Sequence, residues 1–168
     1  MGFKKTSDTI AISFGLAELA ANTFVQDEIQ LQLDILNNEI FVVLAADLDL
    51  TPPDAIAATD SSTNASITST SQVGVSTLAT TNCIAVASDS IQAAGFTDGG
   101  VSFSRAADQS YVGDVDYIAL ISTNNFFVQL AGAGNTRQKF VTGRLWGFRA
   151  RADSNTYAAL VQSEVLSA

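Results

Sequence analysis

The chain has 168 residues, a formal net charge of −9 at pH 7, 47% hydrophobic residues and only 15% charged ones. That acidity argues against a dedicated nucleic-acid binder and against docking on anionic membranes, both of which need a basic face. There is no histidine and a single cysteine, Cys83, which removes the commonest general base and zinc ligand, every Ser-His-Asp arrangement and any intrachain disulfide.

Length and composition suit one globular domain with a sizeable core. Residues 1–8 read as a flexible N-terminal arm, locally basic through Lys4 and Lys5, and 9–168 as a single β-rich domain. The opening stretch is interrupted by Asp8 and Glu18, so a signal peptide is not expected. No run of apolar residues is long enough for a membrane span, and no membrane insertion is expected.

Thr9 to Phe14 alternates and predicts a strand; Leu16 to Ala21 fits a turn of helix or more strand. Glu28 to Leu50 reads as a β-hairpin. Ile29, Leu31, Leu33 and Ile35 alternate with polar residues, and Asn37-Asn38 suits the positive φ of a tight turn. With those asparagines at the turn, Ile35 faces Ile40, Leu33 faces Val42 and Leu31 faces Leu44. Phe41 and Val43 then lie on the outward face, where an apolar pair suggests contact with a neighbouring element or subunit.

Pro52 and Pro53 stop that strand. Ala55 to Ser71 is dominated by small polar residues and predicts a long surface excursion, with an edge strand near 66–75. Asn82 to Ala94 reads as a helix, capped by Asn82, lined by Ile84, Ala87, Ile91 and Ala94, and ended at Gly95. Val101 to Phe103 suggests a short strand and Ala106 to Asp114 a loop. Tyr117 to Ala131 reads as a second hairpin around Asn124-Asn125. Val141 to Ala152 is the last alternating strand, and Asp153-Ser154 starts a C-terminal helix with Tyr157, Leu160, Val161 and Val165 at helical spacing. Together these elements predict a mainly β fold, an antiparallel sandwich or jelly-roll-like body with one or two short helices.

Five of the eight basic residues fall between Arg137 and Arg151, and no acid occurs from Tyr117 to Ala152. Segregated charge fits either basic and acidic strands pairing within one sheet or complementary patches meeting between copies. Trp146 and Phe148 among arginines resemble a nucleic-acid surface, but the whole-chain charge favours core aromatics beside solvated arginines. Asp47, Asp49 and Asp54 could hold a cation; no EF-hand spacing is present, and exposed acids at a strand end are the expectation. Cys83 near a helix start could be activated, though a small buried apolar residue is the plainer reading.

No motif marks a catalytic, cofactor or metal site, so the expectation is a non-enzymatic structural subunit. It would assemble with copies of itself, as a viral coat protein in a virion does, with basic residues offering weak contact to a genome. The expected intersubunit contacts are Lys4, Lys5, Phe41, Val43, Pro52, Pro53, Arg137, Lys139, Arg149 and Arg151. The alternatives are an extracellular or cell-surface β-sandwich that binds carbohydrate or a cell-surface ligand, with Trp146, Tyr111, Tyr117 or Tyr157 exposed, and a phage tail or surface-filament subunit. An enzyme working through two carboxylates is a further reading.

Overall fold

The computed structural model describes residues 2–105 and 116–167. Among these described residues ten strands form two five-stranded antiparallel sheets, followed by one α-helix. In chain order they are β1 (Phe3–Lys5), β2 (Ile10–Ala17), β3 (Val25–Gln30), β4 (Glu39–Leu50), β5 (Ser61–Thr68), β6 (Cys83–Gln92), β7 (Val101–Arg105), β8 (Ala119–Ile121), β9 (Asn125–Ala133), β10 (Phe140–Ala152) and α1 (Ser154–Ser167). One sheet has the order β1-β10-β4-β8, with β2 also pairing β10; the other has the order β3-β9-β5-β6-β7. The loop expected over 106–114 lies outside the described residues.

The pairing is nested. β2 pairs β10, β3 pairs β9, β4 pairs β8 and β5 pairs β6. Successive pairs alternate between the sheets until β5 and β6 close the innermost turn. A long antiparallel ribbon rolled up in this way is a jelly roll, two Greek keys in two facing sheets. Both expected hairpins are overturned by it. Strands β3 and β4 lie in different sheets, and so do β8 and β9. Asn38 does adopt a positive φ of 57°, but it ends a 3-10 turn over Ile35–Asn37 that carries the chain from one sheet to the other. Ile35 and Leu36 are exposed on that turn.

Strand β4 explains the failed register. Opposite β10, Trp146 pairs Ala45 and Gly147 pairs Val43, so Leu44 is bulged. A bulge reverses which face successive residues meet. Phe41 and Val43 therefore join Ala46 and Leu48 in the core between the sheets. Ile40 and Val42 turn outward and are covered, together with Ala150 and Ala152, by Tyr157 and Leu160 of α1. The run Ile40–Val43 is apolar at every position because this part of β4 is buried on both faces.

The segment expected as a surface excursion contains β5, a central strand. Ala65 and Ile67 face the core, while Ser66 and Thr68 are buried on the other side under 69–82. Gln129 ties that side together: it accepts from Ser66 Oγ at 2.7 Å and donates to Thr68 Oγ1 at 2.7 Å. Ser66 Oγ also accepts from the Ser76 N–H at 3.0 Å. The expected helix over 82–94 is strand β6, with Ala85 and Ala87 in the core. Residues read as a free arm include β1, in register with β10 from Phe3↔Ala152 to Lys5↔Ala150. The C-terminal helix forms where expected, and the Asp153 carboxylate accepts from the Thr156 N–H at 2.7 Å, an N-cap.

Candidate functional site

The expected contact residues are dispersed over the sandwich. Phe41 and Val43 are fully buried in the core, so they cannot meet a neighbouring copy. This corrects the reading that placed them on an outward face. Lys4 and Lys5 are exposed on β1; Lys4 lies directly opposite Arg151, a like-charge pair, and Lys5 Nζ sits 4.8 Å from the centre of the Phe148 ring. Arg151 is exposed as well. Arg149 turns inward at the end of β10, where Nη2 donates to the Leu31 carbonyl at 2.8 Å and Nε lies 3.5 Å from Glu39.

Pro52, Pro53, Arg137 and Lys139 are brought together at one end of the sandwich. They line a depression of about 610 Å³ with Asp54. Pro53 and Lys139 are buried, and Pro52 and Arg137 are exposed. Lys139 Nζ donates to Asp54 Oδ1 at 2.7 Å, and Arg137 Nη2 is 3.4 Å from the same oxygen. Asp54 Oδ2 accepts from the Thr136 N–H at 2.9 Å, the Thr136 hydroxyl at 3.0 Å and the Arg137 N–H at 3.0 Å. The Asp54 carboxylate is thus saturated with donors and bonds to the loop between β9 and β10.

Two residues that the sequence reading did not single out extend this network. Glu18 is buried and accepts from the N–H groups of Lys139 (2.8 Å), Thr23 (2.9 Å) and Gly132 (3.1 Å). Asn135 accepts from the Asp54 N–H at 2.9 Å, and its side chain donates to the Ser62 carbonyl at 2.9 Å. Asn22 and Asn135 exchange a further pair of bonds. Three loops, β2–β3, β4–β5 and β9–β10, are therefore locked by side chains rather than by apolar packing. The available signal was Glu18, an acid breaking an otherwise apolar stretch. Asp47 and Asp49 do not join Asp54. They are exposed on the outer face of their sheet, in a depression of about 430 Å³ shared with Arg144 and half-buried Trp146. Among the described residues no group of three or more His, Cys, Asp or Glu is placed to hold a metal.

The Lys139 ammonium above all, then the Thr136 N–H, holds the Asp54 carboxyl well below its ordinary 3.8, against the opposing effect of burial. The unfolded chain therefore takes up this proton before the folded one does. The stabilisation is complete above the unfolded value of 3.8 and is lost as pH falls through the lower folded value. Thermal melts between pH 2 and 7 should show Asp54→Asn less stable than wild type near neutrality, with the gap closing below about pH 4. A gap constant with pH would contradict this account. Asp153, lowered mainly by the Thr156 N–H, keeps a slope of the same sign in both proteins. Cys83, in a strand rather than at a helix start, has its thiol pushed up to about 11 by burial, which makes it a poor nucleophile.

No family model matches the chain, and no curated protein matches it. Among solved structures, a chain of Desmodium yellow mottle tymovirus is similar at 8% sequence identity over 88% of this chain and 91% of that chain, with a TM-score of 0.33, a likeness too loose to carry an argument.

Proposed function

We propose that this chain is a structural subunit that assembles with copies of itself into a shell, as a viral coat protein does, and that it belongs to the virion. Jelly rolls serve capsids and lectins alike, so the fold alone does not choose. The observation that carries the reading is the placement of exposed apolar side chains at both ends of the sandwich. At the end holding the Asp54 network, Leu19 is 84% exposed, and Phe24, Phe96 and Phe140 are exposed too. At the other end Leu36 is 92% exposed, with Leu166, and on the segment 69–82, which lies over the outer face of its sheet, Val73 is 101% exposed and Leu78 is exposed too. A subunit with apolar groups at two opposite ends can make heterologous contacts that repeat, closing a ring or extending an array.

Sedimentation and negative-stain microscopy of the purified protein test this. Closed particles are expected, whereas filaments would favour the tail or surface-filament reading. Leu19→Lys and Val73→Glu should each cut the assembled fraction about ten-fold or more, because burying such a side chain is worth about 1.5–3 kcal/mol per contact. Melting temperature should barely change, since neither side chain is packed within the subunit. A monomer at high concentration, with no particles, would overturn the proposal.

One observation favours a second reading. α1 covers only part of its sheet's outer face, and the open part presents Trp146 beside Asp47, Asp49 and Arg144. An aromatic ring flanked by hydrogen-bonding groups suits a sugar. Glycan-array binding lost in Trp146→Ala, from a protein that stays monomeric, would favour this module over the shell subunit.

A further inference from the structure

Glu164 is placed unlike any other acid among the described residues. It lies on the last turns of α1 and is 6% exposed. Its Oε1 accepts from the Ser122 N–H at 2.8 Å. Its Oε2 is buried without a hydrogen-bond partner, and so is the hydroxyl of Ser122. No described lysine or arginine makes an ion pair with it, whereas the buried Asp54 has Lys139 at 2.7 Å. A buried carboxylate oxygen without a counter-charge is costly, and a cation that also donates hydrogen bonds to it removes that cost.

A cavity is present to admit one. Glu164 lines an opening of about 210 Å³ between α1 and the ends of β6 and β8. Ser69, Asn82 and Ser163 add polar groups to its wall, and Ile118, Leu120 and Leu160 add an apolar side. The charge of Glu164 is also felt nearby: the Tyr157 hydroxyl is pushed up by burial first and by Glu164 second.

We infer that this opening is a binding pocket for a guanidinium or primary ammonium group, with Glu164 Oε2 as its charged acceptor and the apolar wall as the bed for an alkyl stem. A planar or tetrahedral N–H donor cation satisfies both the charge and the unfilled acceptors, which an apolar or anionic ligand does not. The source is either a free small amine or a cationic side chain of a second copy. The latter source rests on the assembly reading. Arg137 is a suitable donor, because Lys139 already neutralises Asp54 and the Arg137 side chain is 82% exposed. It sits past the end of β9, and Ser122 precedes the start of the same strand, so the two features lie at opposite ends of the sandwich.

Titrating the full chain with methylguanidinium, with N-methylurea as the neutral isostere and sodium chloride at equal ionic strength as a control, tests the pocket without requiring assembly. Saturable thermal stabilisation in the millimolar range is expected for methylguanidinium alone, weakened at least ten-fold in Glu164→Gln. Ser163→Phe, which plugs the exposed rim and leaves Glu164 in place, should lose it as well and keeps the test decisive if Glu164→Gln fails to fold. Equal responses in wild type and both variants, or an equal response to N-methylurea, would overturn the inference. Binding that also loosens the association of copies assigns the site to a neighbour's side chain. Binding with no effect on association assigns it to a free cation.

Discussion

Phe41→Ala should destabilise the subunit by about 3–5 kcal/mol, the range for removing a buried aromatic side chain from a packed core. The ring is 0% exposed and lies in the core between the two sheets. Its strand is hydrogen-bonded on both sides, Phe41 facing Arg149 of β10 and Ile121 of β8. Neighbouring side chains are held by these ladders and cannot collapse freely into the space. Against a typical total of about 5–15 kcal/mol, the loss leaves a marginal fold. Chemical denaturation read by circular dichroism measures it. A loss below about 1 kcal/mol would mean that Phe41 is not the core residue described here.

Gly147→Ala should rival it, through the opposite fault. A Cβ at Gly147 would stand 2.2 Å from the Val42 carbonyl oxygen and 2.6 Å from Phe41 Cε1. The ring could rotate aside, but the carbonyl belongs to the paired strand. Overpacking of this kind costs about 1–3 kcal/mol when side chains can yield, and more when backbone must shift. The expected result is a loss at the upper end of that range or beyond, measured by the same denaturation. The double variant Gly147→Ala/Phe41→Leu separates the two contacts. If the carbonyl dominates, the smaller side chain at 41 restores little; full rescue would show that the ring was the obstacle.

Gly147 also marks the limit of what could be read from sequence. Strand β2 was legible because it shows one face to solvent and one to the core, which writes its period into the chain; β10 alternates although Ala150 and Ala152 lie under α1, and α1 was legible from its Asp153 cap and from Tyr157 and Leu160. β4 was legible as a strand but not in its facing. Ile40, Val42, Leu44, Ala46 and Leu48 alternate without interruption, yet the bulge at Leu44 sends the first part under α1 and the last part into the core. β5 was hidden because Ser66 and Thr68 are satisfied by Gln129 and covered by 69–82, so a buried strand reads as a polar loop. β6 has small residues in the core and Ile84, Ala87, Ile91 and Ala94 at helical spacing, and the periodicity alone could not decide.

The apparent β3–β4 register misleads for a different reason. Each strand suits its neighbour in sequence, but almost any two alternating strands do. A jelly roll pairs strands from opposite ends of the chain, so the information lay in segments a hundred residues apart. The candidate site was partly legible for the same physical reason. Pro52, Pro53, Arg137 and Lys139 do converge, but the residues that lock them, Glu18 and Asn135, come from loops that only the fold brings together.

That nesting has a consequence for synthesis. β10 is the last of the ten described strands to leave the ribosome, and it fills the position between β4 on one side and β1 with β2 on the other. Until it emerges, β2 and β4 both present unsatisfied hydrogen-bonding edges, and Ile12, Phe14 and Val43 have no closed core to enter. The contacts that close the sheet join residues as far apart as Phe3 and Ala152, so folding is slow and must wait until β10 has been made. A chain stalled before Phe140 is an open sheet offering its edges to the next stalled chain. The same strand that seals the finished subunit thereby sets the moment at which it becomes safe to be concentrated.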